Sequence, residues 1–418
     1  MVSANKGFGM SKSDGPLTGV RVLELGRLIA APFCGQILGD LGADVIKIER
    51  VGSGDDIRGY GPPFLDERDG TGSASAFYLN FNRNKRSIAI DFGKPEGVAL
   101  IQKLAAECDV FIENFKVGAL VKYGLDEASL RKVREDIIYL SVSGFGQTGP
   151  YTSRPATDVV VQGMSGLMSV TGEADGPPNR VGVPVVDMMT GLYSAVSVVS
   201  ALYGKAKGAR NGDWARVSLL DCGMAMMGSQ AIIAALSGEV PMRMGNDGQG
   251  SAPSGLFSCR NGEVLLQAGK DPDFAKLCGV LGMQHLLEDP RFARRARRVE
   301  TYAILQPMLI EAIAKWDRQE FYDALVKVGV ICGPVTNIRE ALADPQVVAN
   351  CVEVSAGHPD DPDLKLIGSP IRYGATVDPV RRYPPRMGEH GEEILKELLG
   401  MDKATISDLA AVGAIQVK

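Results

Sequence analysis

VRVLEL at residues 20–25, AAPFCGQILGDL at 30–41 and DVIKIE at 44–49 decide the fold. The first and third runs are short, apolar and rich in β-branched residues, which reads as buried strands. The run between them places apolar residues at helical spacing. Pro32 sits in its first turn, where a missing N–H costs no hydrogen bond. Gly42 ends the helix. The three pieces form a β-α-β unit, whose crossover brings the second strand back parallel to the first.

The unit repeats down the chain. SIAID at 87–91 reads as a strand and 95–107 as a helix opened by Gly93-Lys94-Pro95. DVFIE at 109–113 is the next strand, 127–134 the next helix, and IIYLSV at 137–142 another strand. Strands alternating with helices predict an α/β domain with a Rossmann-like doubly wound parallel sheet. Ligands of such sheets sit at the carboxyl ends of the strands. The segments assigned to those ends are 27–30, 49–55, 80–86, 114–116 and 143–147. They are rich in Gly, Asn, Lys and Arg, groups that bind phosphate through amides and cations; a solvated rim is the plain alternative. No GxGxxG follows the first strand, so a nicotinamide dinucleotide is not expected.

Residues 156–170, 188–206 and 219–236 read as long apolar-faced helices, their methionines as core filler. GNDGQG at 245–250 is too polar and glycine-rich for core. Beyond it Asn261-Gly262 turns a hairpin between 255–258 and 263–267, followed by helices at 273–280, 301–316 and 319–328. RFARRARR at 291–298 reads as a solvated helix face or turn. Residues 334–337 read as a strand leading back, and helices at 389–398 and 405–411 close a proline-punctuated tail. The expected organisation is a flexible leader at 1–16, a large domain at 17–220, a linker helix at 221–246, a small α+β domain at 247–330, and 331–418 returning to the large domain.

Composition narrows the function. A net charge of -5 argues against a nucleic-acid partner. No apolar run reads as long enough to cross a bilayer, and residues 1–16 lack the apolar core of a secretory signal, so no membrane partner is expected. Seven cysteines without a CxxC pair suggest neither a zinc site nor a disulfide framework; they read as reduced thiols of a cytoplasmic protein. Three histidines without metal-ligand spacing point to no metal and leave few members for a His-based triad.

One acid stands out. Asp187, in VPVVDMMTG at 183–191, sits among apolar residues where a helix begins. The plain reading is an N-cap, its carboxylate accepting first-turn amides. The other is a nucleophile, ionised at neutral pH because an unperturbed Asp has a pKa of about 3.9.

The pieces PLTGVRVLE at 16–24, LGADVIKIE at 41–49, NRNKRS at 82–87, ENF at 113–115, Asp187 with Thr190-Gly191, and RMGEH at 386–390, in this order and spacing, resemble the family III CoA transferases. This is the CaiB/BaiF group, which includes formyl-CoA transferase, carnitine CoA-transferase and α-methylacyl-CoA racemase. The resemblance runs from about residue 17 to 399. It implies a CoA transferase that takes coenzyme A as substrate and product, with no metal. Asp187 would attack the acyl-CoA thioester to form an anhydride, then carry CoA as an aspartyl thioester. Gly248, Gln249 and Gly250 would close the glycine-rich loop over the site and supply oxyanion donors; Asn246 and Asp247 interrupt the family's plainer glycine run.

The resemblance also carries CoA contacts onto Arg50 near the nucleotide phosphates, onto Asn114, Phe115 and Lys116 at adenine and ribose, and onto Lys122 at a phosphate. Gly144, Phe145 and Gly146 fall beside the pantetheine arm, and Ile29 and Ala30 line the thioester pocket. The oxalate-using members have Gln where Ile29 stands, which disfavours oxalate. The expected exchange is from succinyl-CoA or a similar short acyl-CoA to a small carboxylic acid, in particular a dicarboxylic one. The rival readings are a racemase of the same family, disfavoured because Thr157 stands where its proton-carrying His belongs, and a non-catalytic CoA-binding protein. Family members also form interlocked ring-like homodimers, with the large domain built from both chain ends.

Overall fold

The computed structural model describes residues 15–70, 72–209, 214–248, 250–373 and 380–417. The expected leader therefore lies almost wholly outside the described residues. A seven-stranded sheet organises the chain, in the order Ile415–Gln416, Lys85–Ile90, Asp44–Glu49, Arg21–Leu25, Val110–Glu113, Ile138–Ser143, Trp214–Ser218. The last six run parallel, and Ile415–Gln416 pairs antiparallel at the edge. Numbered along the chain, the parallel strands stand 3-2-1-4-5-6. The order therefore reverses between Arg21–Leu25 and Val110–Glu113, and that reversal opens a crevice at the strands' carboxyl ends.

The pleat sends alternate side chains to opposite faces. Leu23, Ile46, Ile88, Phe111 and Tyr139 pack on one side with Leu100 and Leu104 of helix Pro95–Ala106 and with Ile394 and Leu395 of helix Gly391–Leu399. Val22, Val45, Val110, Ile138 and Leu140 pack on the other with Leu38 of helix Ala30–Asp40 and Val198 of helix Val185–Ala206. Both faces are covered, which is why the strands read as unbroken apolar runs.

Two compact units result. One comprises the chain up to Ser165, residues 182–229 and the chain from Gln346 onward; the other comprises 166–181 and 230–345. The second unit holds the antiparallel hairpin Ser254–Cys259 and Gly262–Gln267, joined by Ile331–Pro334. Its core is built on Phe257, Leu266, Phe274, Leu305, Leu309 and Phe321.

Several expectations need correction. The segment 80–86 leads into the amino end of strand Lys85–Ile90, not out of a carboxyl end. Its cations are buried and paired, Arg83 with Asp40, Lys85 with Glu24, and Arg86 with Asp44, Glu393 and Glu397. They hold the fold rather than a phosphate. The run RFARRARR is not wholly solvated: Arg298 is fully buried, stacked on Phe274, paired with Asp271, and donates to the carbonyls of Ala252, Phe292 and Gly269.

The helix expected at 156–170 is Asp158–Met164 followed by a short turn Leu167–Val170, broken where Gly166 adopts φ +85°. The helix expected at 219–236 divides into Leu219–Met226 and Gly228–Ser237. Helix Val185–Ala206, at 22 residues, is by length and composition apolar enough to span a bilayer, contrary to the expectation that no run is. It starts before Met188, and its only charged residues are Asp187 and Lys205. One face of it packs against helix Ala30–Asp40 and the sheet as a core helix.

Candidate active site

Asp187 lies in the first turn of helix Val185–Ala206, three residues past the cap position held by Pro184. Pro184 has no N–H and no side-chain oxygen, so it cannot cap the helix through its side chain. The capping group comes from another element. Asp158, the first residue of helix Asp158–Met164, is buried and accepts the N–H groups of Val186 at 2.8 Å and Asp187 at 3.1 Å on one carboxylate oxygen. Its other oxygen accepts from Gln162. The N-cap reading of Asp187 therefore gives way to a tertiary cap by Asp158.

The consequence is a bare carboxylate. Among the described residues no hydrogen bond is donated to the Asp187 side chain. Burial first, and the charge of Asp158 second, raise its pKa from 3.8 to about 7. The expectation of an ordinary, fully ionised aspartate is thereby corrected. A carboxylate without hydrogen bonds and with a raised pKa is a better nucleophile when deprotonated, because its lone pairs are not already engaged.

The wall beside Asp187 comes from helix Ala30–Asp40. A Cβ at Gly191 would lie 2.8 Å from the Ala30 carbonyl oxygen and 2.9 Å from Phe33, so glycine is what lets the two helices close. Met188 packs into an apolar cluster with Ile29, Phe33, Tyr78 and Phe81. Ile29 and Ala30 thus stand next to the first turn that carries Asp187.

A small recess of about 40 Å³, open to solvent, lies at the carboxyl ends of the strands and is lined by Leu25, Arg27, Glu49, Arg50, Phe92 and Phe115, among others. Arg50 and Phe115 are brought together there from different strands. Arg50 is exposed, 3.7 Å from Asp56, and the Arg27 guanidinium stacks 4.8 Å from the Phe115 ring centre. Lys116 and Lys122 are exposed beyond the same strand end, Lys122 over the Tyr123 ring at 4.6 Å. Asn114 is engaged differently: its amide oxygen accepts the Arg27 N–H at 2.9 Å and its amide nitrogen donates to the Arg27 carbonyl at 2.7 Å.

Gly144, Phe145 and Gly146 follow strand Ile138–Ser143. A Cβ at Gly144 would fall 2.3 Å from the Ala156 Cβ, and Gly146 turns at φ +92° with its N–H on the Ser143 hydroxyl. Gly248 donates to the Ser254 carbonyl at 2.9 Å, and Gly250 turns at φ +66°; both belong to the second unit. Gln249 lies outside the described residues. Asp158 and Asp55 were not assigned roles from sequence. Asp158 is 29 residues from the helix it caps, and no local pattern signals such a partner.

Comparison with known proteins adds an independent line. The model of CoA-transferase family III matches residues 17–391. The chain is 40% identical over 383 residues to succinate–glutarate CoA-transferase of Agrobacterium fabrum, spanning 92% of this chain and 96% of that protein. It is 35% identical over 400 residues to the human succinyl-CoA:glutarate CoA-transferase, spanning 96% and 90%. It is 33% identical over 403 residues to succinyl-CoA–D-citramalate CoA-transferase of Chloroflexus aurantiacus, spanning 96% and 98%. Among solved structures, a CAIB/BAIF family protein from Brucella suis superposes with a TM-score of 0.83 at 40% identity, covering 92% of this chain and 99% of that one.

Proposed function

Because the chain belongs to CoA-transferase family III, we propose that it moves CoA from succinyl-CoA to glutarate or a similarly short dicarboxylic acid, with Asp187 as the covalent carrier. The substrate pair rests on the relatives whose names carry succinyl-CoA, succinate, glutarate and citramalate. The observation that carries the reading is the bare, desolvated carboxylate of Asp187 at a helix start capped by a different residue.

The steps balance without redox change or net proton transfer. The Asp187 carboxylate adds to the succinyl thioester carbonyl and expels CoA thiolate, leaving a mixed anhydride. The thiolate attacks the aspartyl carbonyl of that anhydride, releasing succinate and leaving an aspartyl-CoA thioester. The acceptor carboxylate then attacks this thioester and expels the thiolate, forming a second anhydride. The thiolate attacks the acceptor's acyl carbonyl, producing the new acyl-CoA and freeing Asp187. Each addition develops an oxyanion that needs aimed N–H donors. The glycine-rich loop, through Gln249 and Gly250, is the proposed source; the Gly248 N–H is already engaged by the Ser254 carbonyl.

CoA is proposed to lie with its nucleotide at the strand-end recess, against Arg50, Phe115, Lys116 and Lys122. Gly144, Phe145 and Gly146 would border its pantetheine arm, and Ile29 and Ala30 its thioester. A homodimer is proposed as well. Leu192, Tyr193, Val196 and Tyr203 expose one apolar stripe of helix Val185–Ala206, and a second copy of the chain would cover it. Sedimentation on serial dilution tests this; a monomer at every concentration rules it out.

The decisive assay is incubation with succinyl-CoA and a panel of short mono- and dicarboxylic acids, read by product mass. Transfer to glutarate-class acids is expected. If CoA reaches none of these acids while a supplied 2-methylacyl-CoA exchanges its α-hydrogen for deuterium in D2O, the transferase reading fails.

A further inference from the structure

Four backbone groups of the turn Gly26–Leu28 are tied to side chains from outside the turn. The buried Lys47 ammonium donates to the Gly26 carbonyl at 2.9 Å. Asn114 holds Arg27 through both its N–H and its carbonyl. The buried Asp55 accepts the Leu28 N–H at 3.0 Å. Lys47 and Asp55 are themselves paired at 2.8 Å, and Lys47 also meets Glu24 at 2.9 Å. The turn needs such restraint because Leu28 adopts φ +65°, a left-handed conformation that strains a side-chain-bearing residue. Leu28 is followed directly by Ile29 and Ala30, and the Ala30 carbonyl sits where a Gly191 side chain would otherwise be.

We infer that Lys47, Asp55 and Asn114 act as one clamp, positioning residues that fix Ile29 and Ala30 against the first turn of the Asp187 helix. The inference rests on the reading of Asp187 as carrier. Three side chains converge on three consecutive residues: Lys47 from within strand Asp44–Glu49, Asp55 from the loop that follows it, and Asn114 from just past strand Val110–Glu113. The clamp makes a strained backbone affordable where the acyl group must be aimed. A misplacement of about 1 Å at such a position is enough to cost on the order of 100-fold in rate. It also gives Asn114 a role distinct from adenine contact.

Steady-state kinetics of Asn114→Ala and Asn114→Asp, alongside thermal melts, test the clamp. Asn114→Ala loses both bonds to Arg27 and is expected to lower kcat about 10- to 100-fold while KM for succinyl-CoA stays within about 3-fold. Asn114→Asp keeps an acceptor for the Arg27 N–H and should fall between. If KM rises tenfold or more at unchanged kcat, Asn114 is a CoA contact and the clamp is wrong; unchanged kcat and KM overturn it equally. Should Asn114→Ala fail to fold, Asp55→Asn and Asp55→Ala are compared. Both remove the charge facing Lys47, but only Asp55→Asn keeps an oxygen for Leu28. The clamp requires Asp55→Ala to lose at least tenfold more in kcat. Intact mass of the wild type under turnover separates the two claims. An Asp187–CoA adduct with unaffected clamp variants defeats the clamp alone, whereas no adduct in the wild type defeats both.

Discussion

Asp158 lies within hydrogen-bonding distance of the backbone of Asp187 but makes no bond to its carboxylate. One oxygen of Asp158 takes the N–H groups of Val186 and Asp187, at 2.8 and 3.1 Å. The amides at a helix start are the natural stabilisers of a nearby carboxylate. Here a second acid has claimed two of them, and its negative charge faces the first.

That relationship predicts the pH profile. Burial and Asp158 hold the Asp187 pKa at about 7, so the nucleophilic, deprotonated form grows as pH rises through 7. kcat/KM should show a rising limb centred near there. Asp158→Asn keeps an oxygen for the two amides but removes the charge, so the limb should move to lower pH. A limb that stays in place in Asp158→Asn would mean the charge of Asp158 does not reach Asp187.

Loss of the carrier should be near-total. Asp187→Ala is expected to lower exchange by roughly 10⁴-fold or more, as for removal of other covalent catalytic groups. Trapping with hydroxylamine or borohydride during turnover should label the wild type at residue 187 and leave the variant unlabelled. Wild-type exchange in Asp187→Ala would end the account.

Closing the two helices should depend on the missing side chain at Gly191. The Cβ of Gly191→Ala would meet the Ala30 oxygen at 2.8 Å and Phe33 at 2.9 Å. Such overpacking costs about 1–3 kcal/mol. Chemical denaturation should show a loss in that range, and kcat should fall with it, since the wall that moves carries Ile29 and Ala30.

The buried pair Glu49–Arg58 should report on acid stability. Arg58 donates to both oxygens of Glu49 at 2.7 Å, and Ser87 adds a third bond at 2.6 Å. Burial alone would raise the Glu49 pKa, but the Arg58 guanidinium outweighs it and holds the pKa at about 2, against an ordinary 4.5. The stabilisation is therefore complete above about 4.5 and is lost as pH falls through about 2. Glu49→Gln leaves Arg58 buried beside a neutral amide and should cost about 3–5 kcal/mol at neutral pH. Its stability should then decline less steeply than the wild type's between those pH values.

The alternation of strands and helices was legible because burial on both faces demands unbroken apolar runs, and five of the seven sheet strands follow from it. Trp214–Ser218 and Ile415–Gln416 were not legible. Both are short edge strands, and their place is set by backbone pairing with Ile138–Ser143 and Lys85–Ile90 rather than by their own pattern. Arg83, Lys85, Arg86 and Arg298 misled for a related reason. A cation in a sequence carries no mark of the carboxylate, distant along the chain, that allows it to be buried.

From the linear chain alone came the doubly wound sheet, the choice of Asp187 as the candidate acid, and the likeness to a family of CoA transferases. These depend on periodicity and residue order, which local physics fixes. Folding in three dimensions decided what surrounds that acid: a cap supplied by Asp158 from a separate helix, a wall closed by Gly191, and a strained Leu28 held by Lys47, Asp55 and Asn114. Hydrogen bonds and charge effects act over a few ångströms of space, and the residues that make them here are separated by 27 to 87 positions of chain.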